Sequence, residues 1–196
     1  MLTDMRKSPY AQLAPLSGHG VTLKLGFWQE VVKTTGQITI PHLQGMFEDA
    51  SVSHVLENFR ICAGEAEGEH DGTVFGDGDF YKWMEGATYG AVNQKNGALL
   101  EKLESYCCLI AKAQLDDGYI STKQIIGEIT GKGNGRMGDV NDFEIYNMGH
   151  LFTTACLYER LTGKGSLMKT AIKAADYLEV LYTCLLYTSP SPRDKI

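Results

Sequence analysis

One short run of the sequence brings together three side chains that could do chemistry: Glu144, Tyr146 and His150. On a helix, His150 shares a face with Thr154, so it lies beside the apolar stripe and not at its centre. Near a helix start, a histidine can donate or accept a hydrogen bond with a bound hydroxyl. The alternative is a buried histidine satisfied by a backbone carbonyl, with Glu144 as a first-turn acid that the helix dipole favours.

Two further stretches carry polar side chains that suit a carbohydrate ligand. Asp79 and Trp83 lie in a run that mixes carboxylates with aromatic rings, which stack on sugars while carboxylates accept from sugar hydroxyls. The alternative is an aspartate N-cap followed by a core-facing Trp83. His42 and Gln44, beside Pro41, lie on a predicted short helix and are also typical of an ordinary surface.

The adjacent Cys107 and Cys108 do not indicate a metal site. Neighbouring residues on a helix point about 100° apart, and no histidine or further cysteine lies nearby at metal-ligand spacing. Cys107 falls on an apolar stripe, which predicts a core position. Five cysteines without short-domain spacing do not form a disulfide framework, which favours a reducing compartment.

The composition limits the classes of partner. The 196 residues are 43% hydrophobic and 21% charged, with a formal net charge of −6. An acidic chain without a Lys/Arg stripe argues against nucleic acid. No apolar run approaches the roughly 20 residues that span a bilayer. The stretch from Met1 to Gly20 has no apolar segment typical of a signal peptide, so we expect no membrane partner and favour the cytoplasm.

The elements that must position these side chains are mostly helices. Alternation over Val21–Leu25 predicts a short strand, within an irregular segment 1–40. Polar composition predicts a loop over Asn58–Asp79. Ile120 begins an irregular stretch, and Gly127–Asp142 is predicted to be a surface loop.

Apolar spacing predicts two helix pairs. The first pair covers residues 79–94 and then a helix to about Gln114, with a break at Asn96-Gly97; the second flanks the break at Thr162-Gly163. Repeated antiparallel pairs indicate an all-α fold, either an α-solenoid or a closed α/α toroid. Long loops between the pairs favour the toroid, in which such loops build a pocket.

The last residues break this pattern. The Ser-Pro-Ser-Pro run after Thr183 cannot continue a helix, and the string resembles the translation of an adapter used in sequencing libraries. We therefore predict three parts: the segment 1–40, a partial toroid domain 41–183, and a non-native tail 184–196, with the natural gene continuing beyond Thr183.

Six motifs, in order, resemble the β-L-arabinofuranosidase family, glycoside hydrolase family 127 and its close relatives, over roughly residues 22–180. They are Gly26-Phe27-Trp28, Ile38-Thr39-Ile40-Pro41-His42, Asn58-Phe59-Arg60, Asp77-Gly78-Asp79-Phe80-Tyr81-Lys82-Trp83-Met84-Glu85, Ala113-Gln114 with Asp117-Gly118-Tyr119-Ile120, and Glu144-Ile145-Tyr146-Asn147-Met148-Gly149-His150-Leu151. The resemblance implies roughly the first half of a six-hairpin α/α toroid.

The resemblance also implies a function. Family members hydrolyse terminal β-L-arabinofuranosides with retention, using a zinc-held cysteine nucleophile and a glutamate acid/base, none of which has a counterpart in this chain. We therefore expect no zinc in this chain and an L-arabinose-containing oligosaccharide or glycoconjugate as the partner. The resemblance makes His150 a sugar-binding residue and extends this to His42 and Gln44. Asn147 and Met148 replace the residues more usual before Gly-His.

Two other classes of function stay open on the sequence. A different helix-toroid sugar enzyme, an epimerase or unsaturated glucuronyl hydrolase, would share the same architecture. A helical-repeat scaffold without catalysis would instead continue in regular helix pairs. A downstream glutamate and vicinal cysteine pair would distinguish the arabinofuranosidase from both.

Overall fold

The computed structural model describes residues 8–13 and 23–186, and all regular secondary structure within them is helical. A π-helical turn, Thr35–Thr39, joins the first two α-helices, and a 3-10 turn, Val140–Asp142, precedes the seventh. The all-α prediction is confirmed. The α-helices in this part of the chain are α1 Phe27–Thr34, α2 Ile40–Glu48, α3 Val55–Cys62, α4 Gly76–Gln94, α5 Gly97–Ala113, α6 Thr122–Thr130, α7 Glu144–Thr162 and α8 Ser166–Leu186.

The two predicted helix pairs are the hairpins α4–α5 and α7–α8. Asn96 caps α5 by accepting a hydrogen bond from the Leu99 N–H at 3.1 Å. Gly163 ends α7 in the left-handed conformation, with a φ of 73°. Both breaks therefore lie where the sequence predicts them.

The hairpins stand side by side in two layers. α4 packs along α7 in one layer, and α5 packs along α8 in the other. The Gly78 N–H donates to Asn147 Oδ1 at 3.1 Å near the starts of α4 and α7, and Thr154 donates to the Tyr81 carbonyl further along. The two helices of the first layer therefore run in the same direction, as the inner helices of a toroid do.

The core lies between these layers. Trp83 is 7% exposed and stacks on Phe80 with ring centroids 5.7 Å apart, and Cys107 is fully buried. The core-facing interpretation of Trp83 and Cys107 is confirmed. α4 begins at Gly76, so Asp79 lies in its first turn and not at its N-cap.

The amino-terminal segment differs from the predicted strand. Val21 and Thr22 lie outside the described residues, Leu23–Leu25 form no strand, and the helix α1 follows. Leu23 and Leu25 are exposed, so the alternating apolar residues do not form the buried face of a strand. The π turn precedes Pro41, which has no N–H to donate and so shifts the helical hydrogen-bond pattern.

The prediction of a polar loop from Asn58 is wrong at its start. Val55–Cys62 is a helix in which Asn58 and Phe59 are buried. The Asn58 side chain donates to the Asp71 carbonyl at 2.8 Å and accepts from the Asp71 N–H at 3.3 Å. In the sequence, a buried polar side chain that hydrogen-bonds the backbone of a loop cannot be distinguished from a solvent-exposed one.

The prediction of irregular structure after Ile120 is also wrong, because Thr122–Thr130 form α6. Gly127 lies inside this helix, where a Cβ would come within 2.7 Å of Gly133 Cα. The following loop packs so closely that only glycine fits at this position. Because glycine has a low helix propensity, the sequence does not indicate the helix. At the other end of the chain, α8 continues past Thr183 to Leu186, and residues 187–196 lie outside the described part.

Candidate functional site

Asp79, Lys82, Tyr146 and His150 meet where the first two turns of α4 and α7 lie side by side, and we call them the α4–α7 cluster. The Lys82 ammonium pairs with Asp79 at 2.6 Å, donates to the Tyr146 hydroxyl at 3.1 Å and lies 5.4 Å from the Tyr146 ring centroid. The Tyr146 and His150 rings contact edge to face at 4.6 Å. Lys82 and Tyr146 are exposed and the other two half-buried, so the cluster is open to a ligand.

Close approach of the two helices holds this cluster in place. At Gly78 a Cβ would lie 2.6 Å from Asn147 Oδ1, so a larger residue would separate the helices. The Asn147 amide also donates to the Val74 carbonyl at 2.9 Å. Asn147 and Met148 are both buried. Both residues therefore belong to the interior packing between the helices and not to the exposed surface of the cluster.

The electrostatic surroundings favour a neutral His150. Burial lowers the pKa of His150, the Lys82 charge lowers it further, and the Glu85 and Asp79 carboxylates oppose both. The hydrogen bond to Asp79, followed by that to Tyr146, raises the pKa of Lys82, so the ammonium stays charged. A neutral imidazole offers one donor and one acceptor, which suits a hydroxyl group.

Glu144 lies apart from the cluster in a buried network. Its carboxylate accepts a hydrogen bond from the Tyr119 hydroxyl and another from the Met137 N–H at 2.8 Å. Burial raises the pKa of Glu144, and these hydrogen bonds oppose that shift. The contacts give Glu144 a part in fixing the loop before α7; a direct contact with sugar stays a prediction.

The structure places His42 and Gln44 on α2. His42 is exposed, and the half-buried Gln44 donates to Glu48 at 3.3 Å. α2 is tied to α4 by the Trp83 indole N–H, which donates to the Ile40 carbonyl at 3.3 Å. These contacts do not join His42 or Gln44 to the α4–α7 cluster, so their role in sugar binding stays a prediction.

Sequence reasoning singled out Asp79 and His150 but missed that Lys82 links them. The signal is the spacing: Lys82 lies one turn after Asp79, and Tyr146 one turn before His150. What the spacing does not give is that α4 and α7 lie side by side in the same direction.

A cavity of about 390 Å³ adjoins the cluster, because Tyr146 lines both. Phe143, Ile145 and Tyr182 supply much of its apolar lining. Its volume lies in the range of small-molecule sites. The loop before α7 and the last described turns of α8 thus border the open side of the cluster.

The described residues do not fit a zinc centre. Cys107 is buried and Cys108 exposed, so the two thiols do not face one site. Burial raises the pKa of Cys107 to about 12, which opposes the thiolate that zinc binds. Within 8–13 and 23–183 no three His, Cys, Asp or Glu side chains are placed to hold a metal ion. No helix in the same residues is long and apolar enough to cross a bilayer.

Two layers of paired helices, with polar side chains gathered at the starts of the parallel pair, define a partial α/α toroid of the type found in carbohydrate-active enzymes. The sequence profile described as "Beta-L-arabinofuranosidase, GH127 catalytic domain" matches residues 20–188. The chain therefore belongs to the β-L-arabinofuranosidase family of glycoside hydrolase 127 catalytic domains.

Individual relatives agree with this assignment. The non-reducing end β-L-arabinofuranosidase of Bifidobacterium longum subsp. longum is 30% identical in an alignment 176 residues long, which covers 81% of this chain and 27% of that protein. The crystal structure of a GH127 β-L-arabinofuranosidase from Geobacillus stearothermophilus matches with a TM-score of 0.76 and 35% identity, covering 82% of this chain and 25% of that one. A GH127 β-arabinofuranosidase structure matches with a TM-score of 0.70 and 28% identity, covering 83% and 26%. The chain thus spans about a quarter of the length of these relatives.

Proposed function

We propose that this chain forms part of the catalytic domain of a β-L-arabinofuranosidase and that its α4–α7 cluster binds the terminal arabinofuranosyl group. Family membership supports the reaction class, and the activity of the relatives supports the sugar. The observation that carries the proposal is the contact of half-buried His150 with Tyr146, whose hydroxyl accepts a hydrogen bond from Lys82, near the starts of two parallel helices.

The chemistry of the cluster suits a small polyol ring. Neutral His150 can accept from one hydroxyl and donate to another, while Asp79 accepts and Lys82 donates. The exposed Tyr146 ring offers an apolar surface beside these polar groups. The cluster therefore binds and orients a sugar, and no residue of this chain is assigned to bond cleavage or to zinc.

We expect the 196-residue chain to release no p-nitrophenol from p-nitrophenyl β-L-arabinofuranoside. Retaining hydrolysis needs a nucleophile and a separate acid/base group that flank the scissile bond. The cluster does not supply such a pair. The measurement is continuous absorbance, with the Bifidobacterium longum relative as the positive control. Turnover above that of the heat-denatured chain would contradict the expectation.

We expect the chain to bind methyl β-L-arabinofuranoside with a Kd on the order of 1 mM, because a few hydrogen bonds to a small ligand give only weak affinity. His150→Ala should weaken binding by about five- to tenfold, the value of one or two lost hydrogen bonds. Calorimetric titration measures both affinities.

His54→Ala is the matched control, because His54 is also a partly exposed histidine, located at the N-cap of α3 and paired with Asp71 at 3.3 Å. Its affinity should equal that of the unaltered chain. Equal loss in both variants, or no loss in His150→Ala, would count against the cluster as the binding site.

A further inference from the structure

Lys82 contacts every other part of the α4–α7 cluster except the imidazole itself. Its ammonium lies between the Asp79 carboxylate at 2.6 Å and the Tyr146 hydroxyl at 3.1 Å, and faces the Tyr146 ring at 5.4 Å. These three contacts restrict the rotamers of the Lys82 side chain. Lys82 therefore fixes the position of the phenol opposite it.

Tyr146 is held from a second side as well. Its ring contacts Phe143 edge to face at 5.6 Å, and Phe143 contacts Phe75 in the same manner at 6.1 Å. Tyr146 also contacts His150, one turn further along α7. The orientation of the imidazole is thus set by a ring that Lys82 and Phe143 hold in place.

We propose that Lys82 and Tyr146 are positioning residues, which keep the His150 imidazole unprotonated and correctly oriented to meet a sugar hydroxyl. This inference rests on the assignment of His150 to sugar binding made above. Lys82 acts through charge and through Tyr146, and neither residue takes part in bond cleavage.

The charges around His150 determine the direction in which its pKa should change when Lys82 is removed. On α4, the Lys82 ammonium disfavours a proton on the imidazole, while Asp79 and Glu85 favour one. On α7, the neighbour is the Tyr146 ring. Removing the lysine leaves two carboxylates facing the imidazole, so the pKa of His150 must rise and the protonated fraction at neutral pH must grow.

The test follows the His150 ring protons by NMR through a pH titration, with Lys82→Met as the main variant. We expect its His150 pKa to rise above that of the unaltered chain and its affinity for methyl β-L-arabinofuranoside at pH 7 to fall by about threefold. Lys82→Arg keeps the charge and should leave the pKa of His150 low. Circular dichroism checks that both variants are folded.

Lys102→Met is the matched control for the titration. Lys102 also pairs with a carboxylate at 2.6 Å, that of Glu48, and lies 5.3 Å from a tyrosine ring, that of Tyr106. It should leave the titration of His150 unchanged. A Lys82→Met variant with an unchanged His150 pKa, or a Lys102→Met variant with the same rise, would overturn the proposal.

The two readouts separate this inference from the proposed function. A raised His150 pKa in Lys82→Met, in a chain that binds no arabinofuranoside, would support the charge effect of Lys82 on the imidazole and contradict the proposed function. Sugar binding that depends on His150 but is untouched by Lys82→Met, with an unchanged titration, would support the function and contradict the positioning role.

Discussion

Gly118→Ala is expected to lower the free energy of unfolding by about 3 kcal/mol or more, the sum of backbone strain and overpacking. Gly118 has a φ of 92°, a conformation that L side chains rarely adopt, and its Cβ would lie 2.2 Å from the Lys173 carbonyl oxygen of α8. Because that atom belongs to a helix backbone, the whole helix would have to move. Urea denaturation monitored by circular dichroism measures the loss.

Gly163→Ala separates the two causes. Gly163 also has a positive φ, 73°, but no atom lies within 4 Å of a Cβ built there. It should therefore cost only about 1–2 kcal/mol, the strain of a left-handed residue. Equal losses at both positions would mean that the 115–119 turn does not dock against α8 as described.

Asp77→Ala is the second variant with a large expected effect, a loss of about 2–3 kcal/mol. The buried Asp77 carboxylate accepts from the Thr122 N–H at 2.9 Å and from the Thr122 hydroxyl at 2.7 Å. These bonds join the first turns of α4 and α6. Alanine would leave a buried N–H of α6 without its partner, which costs more than the hydrogen bond itself contributes.

Asp77→Asn is the informative control. Its amide oxygen can accept from the Thr122 N–H while its amide nitrogen donates to the Thr122 hydroxyl, so both bonds survive without a buried charge. We expect a change within about 1 kcal/mol at neutral pH. A loss as large as that of Asp77→Ala would show that the negative charge, and not the pair of hydrogen bonds, stabilises this junction.

The same pair of variants has a pH signature. Burial raises the pKa of Asp77 above its ordinary value, and the Thr122 hydrogen bonds oppose the shift. The folded chain therefore binds more protons than the unfolded chain between the ordinary and the raised pKa, so the Asp77 contribution to stability is present at low pH and is lost as the pH rises through that window. Asp77→Asn should abolish this loss, which denaturation midpoints measured across the acidic range would reveal.

Sequence reasoning placed the helices whose ends carry local signals. The Asn96 side chain accepts a hydrogen bond from a backbone N–H at the start of α5, and Gly163 adopts the left-handed conformation that ends α7. Both effects are local and do not depend on the rest of the fold. α3 and α6 were missed because their features, the buried Asn58 amide and the tightly packed Gly127, make sense only once the contacting loop is known. Tertiary contacts overrode local propensity at both places.

The candidate site was also predictable only where the signals are local. The type and spacing of His150 and Asp79 indicated polar positions on helices, and the family resemblance indicated a sugar. That Lys82 joins them follows only from the side-by-side packing of α4 and α7, which depends on Gly78 and Asn147. In contrast, the sequence grouped Glu144 with His150, but its carboxylate faces the Tyr119 hydroxyl and the Met137 N–H in a buried network.

The most direct test of the central proposal is a chemical-shift map of the ¹⁵N-labelled chain titrated with methyl β-L-arabinofuranoside. The expected result is a set of saturable shifts that are largest in the first two turns of α4 and α7, around Asp79, Lys82, Tyr146 and His150, and that disappear in His150→Ala. Shifts centred on α2 around Gln44 and Glu48, or no saturable shift in any amide, would contradict it.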